Sequence, residues 1–252
     1  MSINSGTSPD NFNESAQQKP RFWLTALIVL GILALLACLL LPAVRNARPA
    51  ARRAQCGNNL KQIALALLSY ERDYHALPPA YTVDAVGRPL HSWRTLILPY
   101  LEQRNLYETI DLSKAWDDPA NAEACQTPLT MFHCPAADIP QNHTTYLASV
   151  ATNGCFRLTE PRHLSEISDG MPETLMVIEV APQQSVPWMA PTDADESLVM
   201  GLRPASKLAH NGGVNAAFCD GRVVFINANL PAAARRVVIS ISDGDHVADD
   251  NE

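Results

Sequence analysis

The longest uninterrupted apolar run in the chain, Phe22 to Val44, reads FWLTALIVLGILALLACLLLPAV and holds no charge. At about 1.5 Å per residue it is long enough for a hydrocarbon core of roughly 30 Å, so it predicts a transmembrane helix. A cleaved secretory signal is the competing reading. Its apolar core is shorter, about 7 to 15 residues, and exits on small residues, whereas this run ends Leu-Leu-Leu-Pro-Ala-Val. The pattern divides the chain into a polar, Ser- and Asn-rich tail over residues 1–21, expected to be disordered, a span over 22–44, a body over 45–230 and an acidic tail over 231–252.

A second pattern begins near Asn58. Leu60, Ile63, Ala64, Leu67 and Leu68 recur at helical spacing, with Lys61, Gln62, Ser69 and Arg72 opposite, which predicts an amphipathic helix ending near Tyr74. If the residues between are helical too, the two patterns form one long rod bent at its prolines, Pro49 above all. Ser92 to Tyr107 keeps helical spacing but is interrupted by Pro99, predicting one or two short helices before a loop over 111–121. Four later segments have strand character: Leu129–Cys134, Thr145–Val150, Thr174–Val180 and Val214–Ile226. The last contains Asp220-Gly221 between two apolar arms and predicts a hairpin closed by a two-residue turn. A leading helix followed by late antiparallel strands is an α+β body.

Charge alters the picture at both ends. The formal net charge is −7, yet Arg45, Arg48, Arg52, Arg53 and Lys61 follow the apolar run with no acidic residue among them. Asp243, Asp245, Asp249, Asp250 and Glu252 crowd the other end. A basic cluster beside a span suits anionic lipid headgroups, so no nucleic-acid partner is expected. Lys19 and Arg21 before the run are outnumbered by the arginines after it, which by itself places the body in the cytoplasm.

Several short stretches then carry a resemblance. His210, nine intervening residues and Asp220-Gly221 form a His-x9-Asp-Gly signature. It is preceded, in order, by Arg52-Arg53-Ala54-Gln55-Cys56-Gly57-Asn58-Asn59-Leu60-Lys61-Gln62, by Ser92-Trp93-Arg94 with Leu98-Pro99-Tyr100-Leu101-Glu102-Gln103, and by Phe132-His133-Cys134-Pro135. Thr145-Tyr146-Leu147, Ser168-Asp169-Gly170 and Val186-Pro187-Trp188 follow. Together they resemble a large family of pseudopilin-like proteins whose C-terminal domain has no known function. The resemblance implies a pilin-like fold of the type IV pilin or type II secretion kind, a long N-terminal helix packed on an antiparallel sheet. It also implies a single-pass protein of the cytoplasmic (inner) membrane with an extracytoplasmic body, against the arginine count. One place departs from the family: Arg21-Phe22-Trp23-Leu24-Thr25-Ala26 has neither the Gly that precedes a processed Phe nor a Glu at the fifth position. In pilin-like assemblies that Glu offsets a neighbouring subunit's amino terminus within the apolar bundle. Its absence points to a permanent anchor rather than a processed filament subunit.

Candidate chemistry is sparse. His210 and Asp220 would make an acid/base pair, but the hairpin supplies a structural account in which Asp220 forms the turn, Gly221 takes positive φ and His210 pins the entry loop. A Cys219–His210 nucleophile pair lacks an orienting third residue and an oxyanion-hole motif. Beyond Cys38 in the apolar run there are Cys56, Cys125, Cys134, Cys155 and Cys219, an odd number whose connectivity spacing leaves open. Cys56 and Cys134 lie in family-matching stretches, so the resemblance makes them the first expected disulfide. No Cys-x2-Cys or His-x3-His spacing occurs, and no metal or cofactor is expected. Asp193, Asp195 and Glu196 could offer oxygens to calcium, but no EF-hand spacing or family-matching stretch fixes them, and a solvated surface loop accounts for them more simply. The expected function is a membrane-anchored structural or interaction protein of the cell envelope, without catalytic activity, partnered by the bilayer and by like subunits or a secretion apparatus. The alternative is an anchored extracytoplasmic module binding a ligand or calcium.

Overall fold

The computed structural model describes residues 19–151, 153–203 and 205–241; of residues 19–21, 37 and 39–47 only the backbone is described. The N-terminal tail up to residue 18 and the acidic residues 242–252 lie outside the described residues. The chain divides into two compact units, Met1–Arg48 and Pro49–Glu252. Helix α1, Lys19–Tyr74, contributes to both and runs through Pro42 and Pro49 as one element.

In the first unit the described side chains from Phe22 to Leu36 are exposed along α1. Among the described residues no helix is long and apolar enough to cross a membrane. The expected span of 22–44 runs partly into residues whose side chains are not described. Phe22–Leu36 alone covers about 22 Å as a helix, short of a hydrocarbon core.

In the second unit the amphipathic pattern sets the face that α1 buries. Cys56, Asn59, Leu60, Ile63, Ala64, Ala66 and Leu67 are buried, while Lys61, Gln62 and Leu65 are exposed. That face lies over a four-stranded antiparallel sheet ordered β4-β5-β7-β8, formed by Tyr146–Ala148, Leu175–Glu179, Gly213–Phe218 and Val223–Asn227. Two further antiparallel pairs flank it, β1 (Tyr81–Val83) with β2 (Pro89–Ser92), and β3 (His143–Thr144) with β6 (Val186–Pro187).

The body is thus mixed helix and antiparallel sheet, and its sheet is covered on both faces. Tyr146, Ala148, Val177 and Ala217 join the core that contains α1, whereas Leu147, Ile178, Val214, Ala216 and Phe218 join a second cluster. The second cluster is closed by Val199 of α5 (Glu196–Met200), Leu202, and Ile239 of α6 (Ala232–Ile239). Burial on both sides explains why β7 is buried at every position. It also revises the C-terminal boundary. Residues 231 onward were expected as a tail, yet α6 packs Arg235 and Ile239 inward and Ile241 is buried beyond it.

The Ser92–Tyr107 segment forms α2 (Trp93–Leu96), a 3-10 turn at Leu98–Leu101 and α3 (Arg104–Tyr107), with Pro99 in the first turn of the 3-10 element. Pro there costs no backbone bond, since the N–H it lacks has no partner in a first turn. A further short helix, α4 (Ala122–Gln126), follows the 111–121 loop. Arg94, fully buried, ties α2 to the sheet. Its guanidinium donates to the carbonyls of Trp188 (2.9 Å), Tyr146 (3.3 Å), Ala190 (2.9 Å) and Thr192 (2.9 Å), and to Asp193 Oδ1 (2.8 Å).

Two local expectations are corrected. Leu129–Cys134 is a pair of turns rather than a strand, with Phe132 N–H donating to Leu129 and His133 N–H to Thr130. Pro128 and Pro135 bracket the segment, and the carbonyls a neighbouring strand would need instead accept from Asn59 Nδ2, Thr130 at 3.0 Å and His133 at 3.1 Å. The β7–β8 hairpin closes through three residues, Cys219, Asp220 and Gly221, because Phe218 pairs with Arg222. Gly221 sits at φ +80°, the left-handed position that ends a three-residue hairpin loop. A Cβ there would also stand 3.0 Å from Leu68 Cδ1, so glycine serves both the turn and the close approach of α1.

Candidate functional site

The chemistry-bearing residues of the body converge beneath α1. Antiparallel register places Tyr146 opposite Glu179 across β4–β5, and Asn215 opposite Phe225 across β7–β8. The pairing of Ile178 with Ala216 sets Glu179 beside Asn215. Glu179 is fully buried, the one charged position in the otherwise apolar strand LMVIE. Its Oε2 accepts from Asn215 Nδ2 at 2.9 Å and from Asn215 N–H at 3.2 Å. Its Oε1 receives no hydrogen bond among the described residues and lies 3.3 Å from His210 Nε2.

His210 Nε2 is also 3.7 Å from Cys134 Sγ. Cys134 is joined to Cys56 of α1 in a disulfide that spans 78 residues. Closing so long a loop removes on the order of 4 kcal/mol of chain entropy from the unfolded state. The site is therefore a buried carboxylate from β5, an imidazole from the loop before β7, and a disulfide whose two halves come from α1 and the turns after α4. Burial, with Glu179's charge second, holds the Tyr146 hydroxyl well above its ordinary value, so this neighbour stays a neutral phenol. A cleft of about 450 Å³ lined by Arg52, Arg53, Ala136, Ala209, His210 and Asn211 leads to the imidazole.

Of the residues singled out from the sequence, Cys56, Cys134 and His210 meet here. Asp220 does not: it sits in the hairpin loop, where Oδ1 accepts from Arg222 N–H at 2.9 Å and Oδ2 lies 3.6 Å from Arg222 Nε. The carboxylate at the imidazole is Glu179, and a single acid at the end of a buried apolar strand is the sequence signal that marks it. Asn215 and Arg94 were likewise missed as individual residues, because an amide in a strand and an arginine in a short helix carry no local signal of burial.

Cys219 faces Cys155 rather than His210, the two buried sulfurs being 2.8 Å apart. Oxidation is expected to join them. Peptide mapping of the air-oxidised, unreduced chain should yield a Cys155–Cys219 linked peptide beside the Cys56–Cys134 one, with Cys125 still alkylatable after unfolding. The acidic trio is dispersed. Asp193 is buried against Arg94, Trp93 Nε1 (2.9 Å) and Ala148 N–H (2.8 Å); Asp195 caps α5 through Leu198 N–H (2.8 Å); Glu196 pairs with Arg236 at 3.2 Å. These three carboxylates serve separate structural contacts. Trp93 and Trp188 are core residues.

No curated protein and no solved structure matches the chain. Residues 45–149, which carry Cys56, Cys134 and Tyr146 but stop short of Glu179 and His210, are similar to a family described as "Protein of unknown function (DUF1559)".

Proposed function

We propose that this chain is a membrane-anchored, pseudopilin-like structural or interaction protein of the cell envelope, its body held outside the cytoplasmic membrane by the N-terminal part of α1. The observation that carries the reading is the division of labour along one helix. From Cys56 to Leu67 the apolar face of α1 is buried in the body, whereas Phe22, Trp23, Leu24, Leu27, Ile28, Leu30 and Leu33 are exposed. An apolar surface of that extent needs a lipid or protein cover. The sequence continues it without a charge to Val44, long enough for a bilayer. A long helix laid on an antiparallel sheet supports the pilin-like reading, and the Cys56–Cys134 disulfide suits an oxidising compartment.

Membrane fractionation with protease accessibility and N-terminal sequencing tests it. The full-length chain should stay in the membrane pellet through alkaline carbonate, its body should be digested from the extracytoplasmic side, and its amino terminus should lie upstream of Phe22. Release by carbonate would rule out the anchor, and digestion only from the cytoplasmic side would reverse the topology. A second reading, a binding module on the same anchor, rests on a cleft of about 700 Å³ lined in part by Gln183, Gln184, Asp195, Ser197 and Lys207. A small ligand that raises the melting temperature of the wild-type chain but not of a Lys207→Ala variant would favour it.

A further inference from the structure

We propose that Cys56, Cys134, Glu179 and His210 form a binding site for one zinc ion, or a similar thiophilic divalent cation, when the Cys56–Cys134 disulfide is reduced. One ligand atom from each of the four lies within 4.8 Å of all the others, and all four residues are buried. A tetrahedral zinc ion with bonds of about 2.0–2.3 Å sets its ligand atoms roughly 3.3–3.8 Å apart. Two edges of that tetrahedron already stand: His210 Nε2 to Cys134 Sγ is 3.7 Å and His210 Nε2 to Glu179 Oε1 is 3.3 Å. The change the metal requires is the parting of the two sulfurs from a covalent bond to a nonbonded edge, and reduction does that.

The surroundings match a metal site better than an inert disulfide. Glu179 is held by Asn215 through Oε2 alone, which leaves Oε1 turned to the imidazole and sulfurs. This is how a neighbouring donor orients a metal-binding carboxylate. A buried carboxylate is costly without a cation beside it, whereas a packed disulfide has no use for one. Two thiolates and one carboxylate around a divalent ion leave one negative charge in excess, and Arg52 and Arg53 line the cleft leading to His210. The four ligands come from α1, the turns after α4, β5 and the loop before β7, so the ion would clasp the same elements that the disulfide clasps.

The exchange balances simply. A phosphine reductant gives two electrons to the disulfide and becomes a phosphine oxide, its oxygen and the two thiol protons coming from water. Zinc then displaces those two protons as both sulfurs bind as thiolates. The membrane reading draws on the oxidised Cys56–Cys134 pair and the metal site on the reduced one, so the two concern different redox states of one body and are tested by separate readouts.

Cobalt(II) titration of the full-length chain in detergent tests it, before and after reduction with tris(carboxyethyl)phosphine. The reduced chain should take up one equivalent with the visible bands of tetrahedral cobalt and a thiolate charge-transfer band, and zinc should abolish both. The oxidised chain should show neither. A Cys56→Ser/Cys134→Ser variant should bind at least about 100-fold more weakly, and Asn215→Ala about 10- to 100-fold more weakly. A Cys155→Ser/Cys219→Ser variant should keep the full signal. Near-UV circular dichroism follows the fold throughout. A reduced chain that takes up no cobalt overturns the proposal, folded or not, because a site of this kind should restore the fold on binding. So do bands that survive in the Cys56→Ser/Cys134→Ser variant.

Discussion

Replacing Arg94 with leucine should destabilise the body by about 3–5 kcal/mol, the cost of stranding a buried charge whose partner has been removed. Arg94 and Asp193 form an ion pair at 2.8 Å with essentially no solvent access, and the same guanidinium satisfies four backbone carbonyls. Burial pushes the Asp193 carboxyl above its ordinary value, and Arg94 is the first influence opposing that rise, ahead of the Trp93 and Ala148 donors. Without Arg94 the carboxyl must take up a proton or open the loop that carries it. Urea unfolding of the full-length chain in detergent, followed by tryptophan fluorescence, measures the loss, because Trp93 and Trp188 are buried beside the pair. Arg94→Leu with Asp193→Leu should cost less than the two single changes added together, since the double variant strands no charge. Strict additivity would mean the two residues act separately and would remove the ion pair from the account of this core.

Leu67→Asp should be comparably severe, at least about 4 kcal/mol, because it deletes a packed side chain and puts a carboxyl in its place. Leu67 is fully buried in the cluster shared by α1 and the sheet, and the same face of the helix holds Leu60, Ile63 and Ala64. Two residues away, Leu65 is 50 % exposed. Leu65→Asp should therefore stay within about 0.5 kcal/mol of wild type. The contrast between neighbours is the discriminating result. Equal losses at positions 65 and 67 would mean that helix propensity, rather than packing against the sheet, dominates there.

Local pattern made much of this fold readable before the structure. The spacing of Leu60, Ile63, Ala64 and Leu67 specifies which face of α1 is buried, since each turn brings the next apolar side chain to the same side. The arms of the Val214–Ile226 hairpin were legible for a similar reason, although the loop between them proved one residue longer than expected. Leu129–Cys134 misled because its composition suits a strand while its carbonyls accept from Asn59, some seventy positions earlier. The layer formed by α5 and α6 had no advance signal. An eight-residue helix after Pro231 looks like the beginning of a tail until the second face of the sheet is seen to need cover.

The site divides along the same line. His210, Cys56 and Cys134 stood out as individual residues, but their meeting place depends on a sheet ordered β4-β5-β7-β8, in which β6 pairs elsewhere and β7 lies beside β5. That order alone brings Glu179 and Asn215 together and sets them below Cys56. The sequence by itself determined the apolar run, the buried face of the helix that follows it and the hairpin, because each arises from a period that neighbouring residues share. Only the tertiary structure decided that a glutamate, a histidine and two cysteines from four separate elements would share one buried volume. No local period records a distance between residues so far apart in the chain.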